Sequence, residues 1–267
     1  MSGLISIREV TKTFGTESNG IPALAPVNLE IGQGEFISIV GPSGCGKSTL
    51  LNLVAGLFMP TRGEIFIEGK KVGGVPENIG MVFQQYSKTL LPWRSVYENI
   101  GLGLELKRVP EKERRPIVEK YIEFMGLSGF ENKKPYELSG GMQQRVALAR
   151  TLSYRPSILL MDEPYASVDA QTREVLQEDI LRIREREKQT VLFVTHDIRE
   201  AIYLGDRVVV MSARPGRIKG IFDVAFLDSR RDPGVKSGAE FNSLAEKVWS
   251  LIKDEVLVSL RDRATEG

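Results

Sequence analysis

Apolar runs and alternating patterns follow one another along this chain in an order that predicts strands, loops and helices. Ile5-Ser6-Ile7-Arg8-Glu9-Val10 alternates as a half-exposed strand does, and Val27-Asn28-Leu29-Glu30-Ile31 repeats the pattern. Glycines at 32 and 34 turn the chain into Phe36-Ile37-Ser38-Ile39-Val40, apolar and β-branched enough for a buried strand, and Leu50-Leu51-Asn52-Leu53-Val54-Ala55 reads as a helix. Glu64-Ile65-Phe66-Ile67-Glu68-Gly69 predicts a short strand ending in a turn, and Ile79-Gly80-Met81-Val82-Phe83 runs into Gln84-Gln85. From Tyr86 to about Pro156 helical periodicity replaces strands, with helices expected over 96–107 and 111–125. Pro116 should end or restart the second of these unless it lies in the first turn.

Farther on, Ser157-Ile158-Leu159-Leu160-Met161 and Thr190-Val191-Leu192-Phe193-Val194-Thr195 are continuous apolar strands. Between them, residues 172–188 form an amphipathic helix with Leu176, Ile180 and Ile183 on one face. Residues 207–212 supply a further strand, Arg214-Pro215-Gly216-Arg217 a turn, and Phe241, Leu244, Val248, Leu251 and Ile252 recur at helical spacing in the tail. An α/β protein is expected: a mainly parallel sheet, an antiparallel β layer at the N-terminus and a helical subdomain inserted at about 86–156.

The loop between the first buried strand and its helix carries the chemistry. Gly41-Pro42-Ser43-Gly44-Cys45-Gly46-Lys47-Ser48-Thr49 has the spacing G-x-x-x-x-G-K-[ST] of a phosphate-binding P-loop, in the required order of strand, loop and helix. Glycines let the backbone wrap an anion while N–H groups and the helix dipole face it. Lys47 is expected to reach the β- and γ-phosphates, with the Ser48 hydroxyl on Mg²⁺. Asp162 and Glu163 follow a buried strand downstream, where one carboxylate suits a Mg²⁺ contact and its neighbour can orient or deprotonate water. His196, the single histidine, stands at the end of another strand and is expected at the γ-phosphate, the plain alternative being a hydrogen-bonded loop residue. Phe14 either stacks on an adenine or belongs to the core. Leu138-Ser139-Gly140-Gly141-Met142-Gln143-Gln144-Arg145 opens a helix, and its serine and glycines make either an ordinary N-cap or a second anion-binding end.

Composition narrows the class. With 267 residues, 42% apolar and 27% charged, the chain can bury a full core. No apolar run approaches the ~20 residues of a membrane span, and no signal peptide is visible at the start, so a cytoplasmic protein is expected. A net charge of +1 gives no reason to expect nucleic acid. The single cysteine, Cys45, excludes an internal disulfide and sits where the P-loop motif accepts any residue.

Taken together, the P-loop, the LSGGMQQR stretch, the Asp162-Glu163 pair and His196, in this order, resemble the ATP-binding cassette (ABC) ATPases over about residues 4–220. The resemblance implies a P-loop NTPase core over 1–220, with residues 221–267 as a short helical C-terminal extension packed on it. It implies ATP and Mg²⁺ as ligands, and a head-to-tail dimer with a second ABC ATPase subunit, identical or different. In that dimer Ser139, Gly140 and Gly141 would serve the partner's ATP. By the same resemblance Phe14 falls at the adenine-stacking position, Gln84 touches Mg²⁺ and the attacking water, Asp162 holds Mg²⁺, Glu163 is the catalytic base, Asp169 crosses the dimer interface and His196 is the switch histidine. The chain departs from the family pattern in three places: Met142 replaces the usual glutamine, Phe14 the usual tyrosine, and Ala166-Ser167-Val168 the usual Ser-Ala-Leu.

Leu90-Leu91-Pro92-Trp93-Arg94-Ser95-Val96-Tyr97-Glu98-Asn99, with Arg214-Pro215-Gly216-Arg217, looks most like the cytoplasmic subunits of bacterial importers for nitrate, sulfonates or taurine. That likeness implies transmembrane permease subunits as partners, a substrate-binding protein acting indirectly, and a peripheral position on the inner face of the cell membrane. Leu91, Pro92 and Trp93 would border the groove that receives a permease helix, or else form locally packed core. An ABC exporter subunit and a soluble cassette acting as a mechanical switch stay open as alternatives. A GTPase is disfavoured because Asn132-Lys133-Lys134-Pro135 lacks the aspartate of a guanine-reading N-K-x-D, and a kinase would have no use for the second helix end.

Overall fold

The alternating N-terminal segments form β1 (Ile5–Phe14) and β2 (Ile21–Ile31), paired antiparallel from Ile5↔Ile31 to Phe14↔Ile21. Both outrun the alternation in the sequence because shifts of register between Ile7 and Thr13 keep an irregular stretch paired. Ile5, Ile7, Val10, Val27 and Ile31 are buried beneath this layer. The apolar run becomes β3 (Phe36–Val40), buried along its whole length, followed by α1 (Lys47–Val54). β4 (Arg62–Ile67) and β5 (Lys70–Lys71) complete the antiparallel sheet in the order β2-β1-β4-β5. The computed structural model describes residues 3–16, 19–166, 168–224 and 233–265; Ser167 and residues 225–232 of the expected extension lie outside it.

Next come β6 (Ile79–Val82), α2 (Tyr86–Thr89), α3 (Val96–Leu106), α4 (Glu111–Phe124), α5 (Gly140–Ser153), β7 (Ile158–Asp162) and α6 (Ala170–Glu187). β6 and β7 are parallel neighbours, from Ile79↔Ile158 to Val82↔Met161. The start of α3 is set by a capping box in which the Ser95 side chain accepts from the Glu98 N–H and the Glu98 carboxylate accepts from the Ser95 N–H. Pro116 neither ends nor restarts α4, contrary to the expectation; the helix runs through it. Lys112 and Pro116 both face solvent, so the carbonyl that loses its helical partner lies on a turn that water reaches.

Asn99, fully buried on α3, organises the loop before it. Its Oδ1 accepts from the Leu91 N–H at 2.9 Å, and its amide donates to the carbonyls of Leu91, Arg94 and Ser95 at 3.0–3.1 Å. Asn99→Ala is therefore expected to strip the Leu91 N–H and the Arg94 carbonyl of this partner, while the Leu91 and Ser95 carbonyls keep the N–H groups of Arg94 and Asn99, and to cost about 1–3 kcal/mol, seen as a lower midpoint in thermal or urea unfolding.

The chain then forms β8 (Thr190–Val194), α7 (Ile198–Leu204), β9 (Arg207–Met211), β10 (Ile218–Asp223) and α8 (Ala239–Thr265). β3 lies between β8 and β9, parallel to both, and β10 is antiparallel to β9, giving the order β10-β9-β3-β8. α8 packs on α7 and β9 and buries Phe241, Leu244, Val248 and Ile252. The elements divide into two compact units, Met1–Pro76 with Thr190–Gly267, and Glu77–Gln189. The expected α/β fold is borne out, with its antiparallel N-terminal layer, parallel core strands and helical block.

Candidate active site

Within the first unit, β3 and β8 run parallel and adjacent, so the P-loop and His196 leave the same edge. That edge, at the carboxyl ends of parallel strands, is where α/β sheets bind ligands. The Thr195 N–H donates to the Ile39 carbonyl at 3.1 Å and locks the two exits together. Along the P-loop, Gly41, Pro42, Cys45 and Lys47 are buried, Gly46, Ser48 and Thr49 half-buried, and Ser43 and Gly44 exposed. The Lys47 ammonium donates to the carbonyls of Gly41 at 2.8 Å and Pro42 at 3.0 Å, holding its charge inside the loop.

Gly46 precedes α1 with φ 100°, a left-handed conformation that disfavours any side chain, and no side chain caps the helix. A Cβ there would also meet Leu24 Cδ2 at 2.6 Å. With glycine at the cap, that position brings no side-chain acceptor to compete with a phosphate for the main-chain N–H groups of the first turn. Phe14 ends β1 half-buried, edge-to-face with Phe58 at 5.5 Å between centroids, with the Lys12 ammonium 5.1 Å from its own.

In the second unit the same arrangement recurs. The parallel pairing of β6 with β7 brings Gln84 and Asp162-Glu163 out at one edge, and Gln84 Nε2 lies 3.5 Å from Glu163 Oε2, a long contact at the limit of hydrogen bonding. Asp162 is the last residue of β7 and is buried. Glu163 is half-buried and adopts φ 41°, a left-handed backbone that costs a non-glycine residue about 1 kcal/mol and accumulates at functional sites.

Ser139 caps α5, its Oγ accepting from the Met142 N–H at 3.3 Å. A hydroxyl that accepts at a cap keeps its proton to donate. Asp169 caps α6 in the same way, accepting from the Thr172 N–H at 2.9 Å, and that bond holds its carboxyl below the usual range. The two caps are neighbours: a Cβ on Gly141 would lie 2.7 Å from Thr172 Cγ2. Ser139, Gly140 and Asp169 are exposed and Gly141 is half-buried.

Three positioning residues have contacts that no sequence signal gives, although Gln144 and Gly216 fall within stretches noted above. Buried Gln144 donates to the Pro164 carbonyl at 2.6 Å, tying α5 to the residue after Glu163. Arg150 donates to the Thr89 carbonyl at 2.6 Å and Oγ1 at 2.7 Å, joining α5 to α2, and burial lowers its pKa. In the first unit the main chain of Gly216 exchanges hydrogen bonds with Ala23 and Ala25 on β2, and a Cβ there would lie 1.9 Å from the Cys45 carbonyl oxygen of the P-loop.

Taken unit by unit, the oxygens offered suit Mg²⁺: the first unit has the Ser48 hydroxyl, and the second the Gln84 amide oxygen and the Asp162 carboxylate, all hard donors of the kind this ion takes together with substrate phosphates and water.

Residues 24–166 match the family model described as ABC transporter. An uncharacterized ABC transporter ATP-binding protein of Methanocaldococcus jannaschii is 51% identical over 257 residues, covering 96% of this chain and 94% of its own. An aliphatic sulfonates import ATP-binding protein of Bacillus thuringiensis subsp. konkukian is 44% identical, with 91% of this chain and 94% of its own covered. Among solved structures, the cassette MJ0796, as a dimer in a post-hydrolysis state bound to ADP and Pi, superposes with a TM-score of 0.73 at 37% identity, covering 82% of this chain and 98% of that one.

Proposed function

Because this chain belongs to the ABC transporter family of ATP-hydrolysing subunits, we propose that it powers import of a small solute of the nitrate, sulfonate or taurine kind. It would do so by closing and reopening a cassette dimer around ATP. The observation that carries the catalytic part is the meeting of Gln84 with the Asp162-Glu163 pair at the ends of two paired strands. Import is supported by the sulfonate-importer relatives and by the Leu90–Asn99 sequence.

In this reading Phe14 stacks on adenine, and Gly41 to Thr49 enclose the phosphates with Lys47 on the β- and γ-oxygens. Ser48, Gln84 and Asp162 hold Mg²⁺, which when bound neutralises charge on the β- and γ-phosphates. Glu163 takes the proton of the attacking water, Gln84 orients that water, and His196 donates to a γ-phosphate oxygen. Ser139, Gly140 and Gly141 contact the ATP of a partner cassette, and Asp169 lies at the interface with it. Placing fixed donors where charge gathers in the transition state is the main source of rate.

In this reading transport runs through permease subunits, with this protein peripheral on the inner face; among the described residues no helix is long and apolar enough to cross a membrane. Trp93 supports a docking role: it is 70% exposed in a loop that Asn99 holds rigid from below. The test is reconstitution. The protein isolated with its membrane partners and sealed in liposomes should move labelled ethanesulfonate or taurine toward the compartment that holds ATP, and Glu163→Gln should abolish that movement. Movement away from ATP supports an exporter, and a protein that isolates with no membrane partner and moves no solute supports the soluble-switch alternative.

A further inference from the structure

His196 is held by its two neighbours, and both are bonded to the start of α7. The Asp197 carboxylate caps that helix, accepting from the N–H groups of Arg199 at 2.9 Å and Glu200 at 3.1 Å. The Asp197 N–H donates to Thr195 Oγ1 at 3.1 Å, and the Thr195 hydroxyl donates to the buried Glu200 carboxylate. The main chain around His196 therefore cannot shift without disturbing the first turn of α7.

That turn is gripped from outside by one side chain. Arg199 donates through Nη1 to Asn242 Oδ1 at 3.1 Å and through Nη2 to the Lys236 carbonyl, and its guanidinium carbon lies 4.9 Å from the ring centroid of Phe241, which α8 buries. Lys236 reaches back to α7, its ammonium 4.1 Å from the Tyr203 ring. Farther along α8, Glu255 accepts from the Ala213 N–H and the Lys219 ammonium, both at 2.7 Å, which anchors the helix beside the β9–β10 turn.

We propose that Arg199 is a positioning residue that couples the C-terminal helix to the His196 loop, so that the seating of α8 sets where the imidazole acts. A guanidinium suits the task, since its planar fork serves two acceptors while its face lies on a ring; a lysine ammonium cannot do all three. The inference rests on the assignment of His196 to the γ-phosphate made above.

Steady-state ATPase kinetics of full-length Arg199→Ala, Arg199→Lys, Asn242→Ala, His196→Ala and the Arg199→Ala/His196→Ala pair test it. Arg199→Ala should lower kcat about fivefold with KM for ATP unchanged, Arg199→Lys should recover part of the loss, and the double variant should be no slower than His196→Ala alone. An unchanged kcat in Arg199→Ala beside an impaired His196→Ala, a rise in KM alone, or losses that multiply would each overturn the coupling. His196→Ala at full turnover would instead remove the histidine's assignment, and the coupling with it. Should Arg199→Ala fail to fold, Asn242→Ala decides: a loss confined to kcat supports the coupling, and wild-type kinetics rejects it.

Discussion

Glu163→Gln is expected to lower ATP turnover by about 10²–10⁴-fold while ATP stays bound, the range that a positioned general base contributes. Glutamine keeps the shape of glutamate and can still face the Gln84 amide, but its carbonyl is far too weak a base to take a proton from water. The backbone at Glu163, with φ 41°, already holds this residue in an unfavourable conformation for any side chain other than glycine. The substitution changes neither that strain nor the P-loop, so folding and nucleotide affinity should survive. Phosphate release measured beside equilibrium ATP binding separates the two effects. The same variant should collect as an ATP-dependent dimer, visible as a doubled solution mass, and Ser139→Ala should weaken that dimer. Turnover equal to wild type would take Glu163 out of the base role; a persistent monomer with ATP bound would point to a different partner cassette or to a dimer that needs its permease.

Gly216→Val should lower ATP affinity about a hundredfold, with a matching loss of stability. The β-carbon of any side chain at 216 starts 1.9 Å from the Cys45 carbonyl oxygen, and valine adds two methyl groups beyond it. Because the opposing atom is main chain, no rotamer change relieves the overlap. Either Gly216 breaks its hydrogen bonds to Ala23 and Ala25 on β2, at 2.9 and 3.0 Å, or the P-loop shifts outward. Overpacking of this kind costs about 1–3 kcal/mol or more, and roughly 3 kcal/mol charged to the binding-competent loop is the hundredfold expected. Titration with a fluorescent ATP analogue, alongside a thermal melt, reads both. Wild-type affinity would show that the loop can move without losing its phosphate cradle.

Much of this molecule is legible in its residues alone. The runs 36–40, 157–161 and 190–195 announced β3, β7 and β8 because a strand buried on both faces has apolar side chains at every position, and strand ends then located the P-loop, Asp162 and His196. Helix starts were readable where a serine or aspartate caps them, as at Ser139. β10 carries no clear strand pattern because half its residues face solvent and a turn introduces it, and α7 none because seven residues are too few to display a period. Pro116 does not break its helix, since its cost depends on whether water reaches the carbonyl it strands, a matter of burial rather than of spacing.

By itself, the sequence determined the order of strands and helices, the phosphate loop, the acidic pair and the helix that opens at Ser139. Each is written in neighbouring residues, where periodicity and motif spacing act. Only the tertiary structure decided which distant residues support them: Asn99 under the Trp93 loop, Gln144 against Pro164, Gly216 against Cys45 and Arg199 between α7 and α8. Such contacts join positions far apart in the chain, and nothing in a residue's own neighbours records which surface the fold will bring against it.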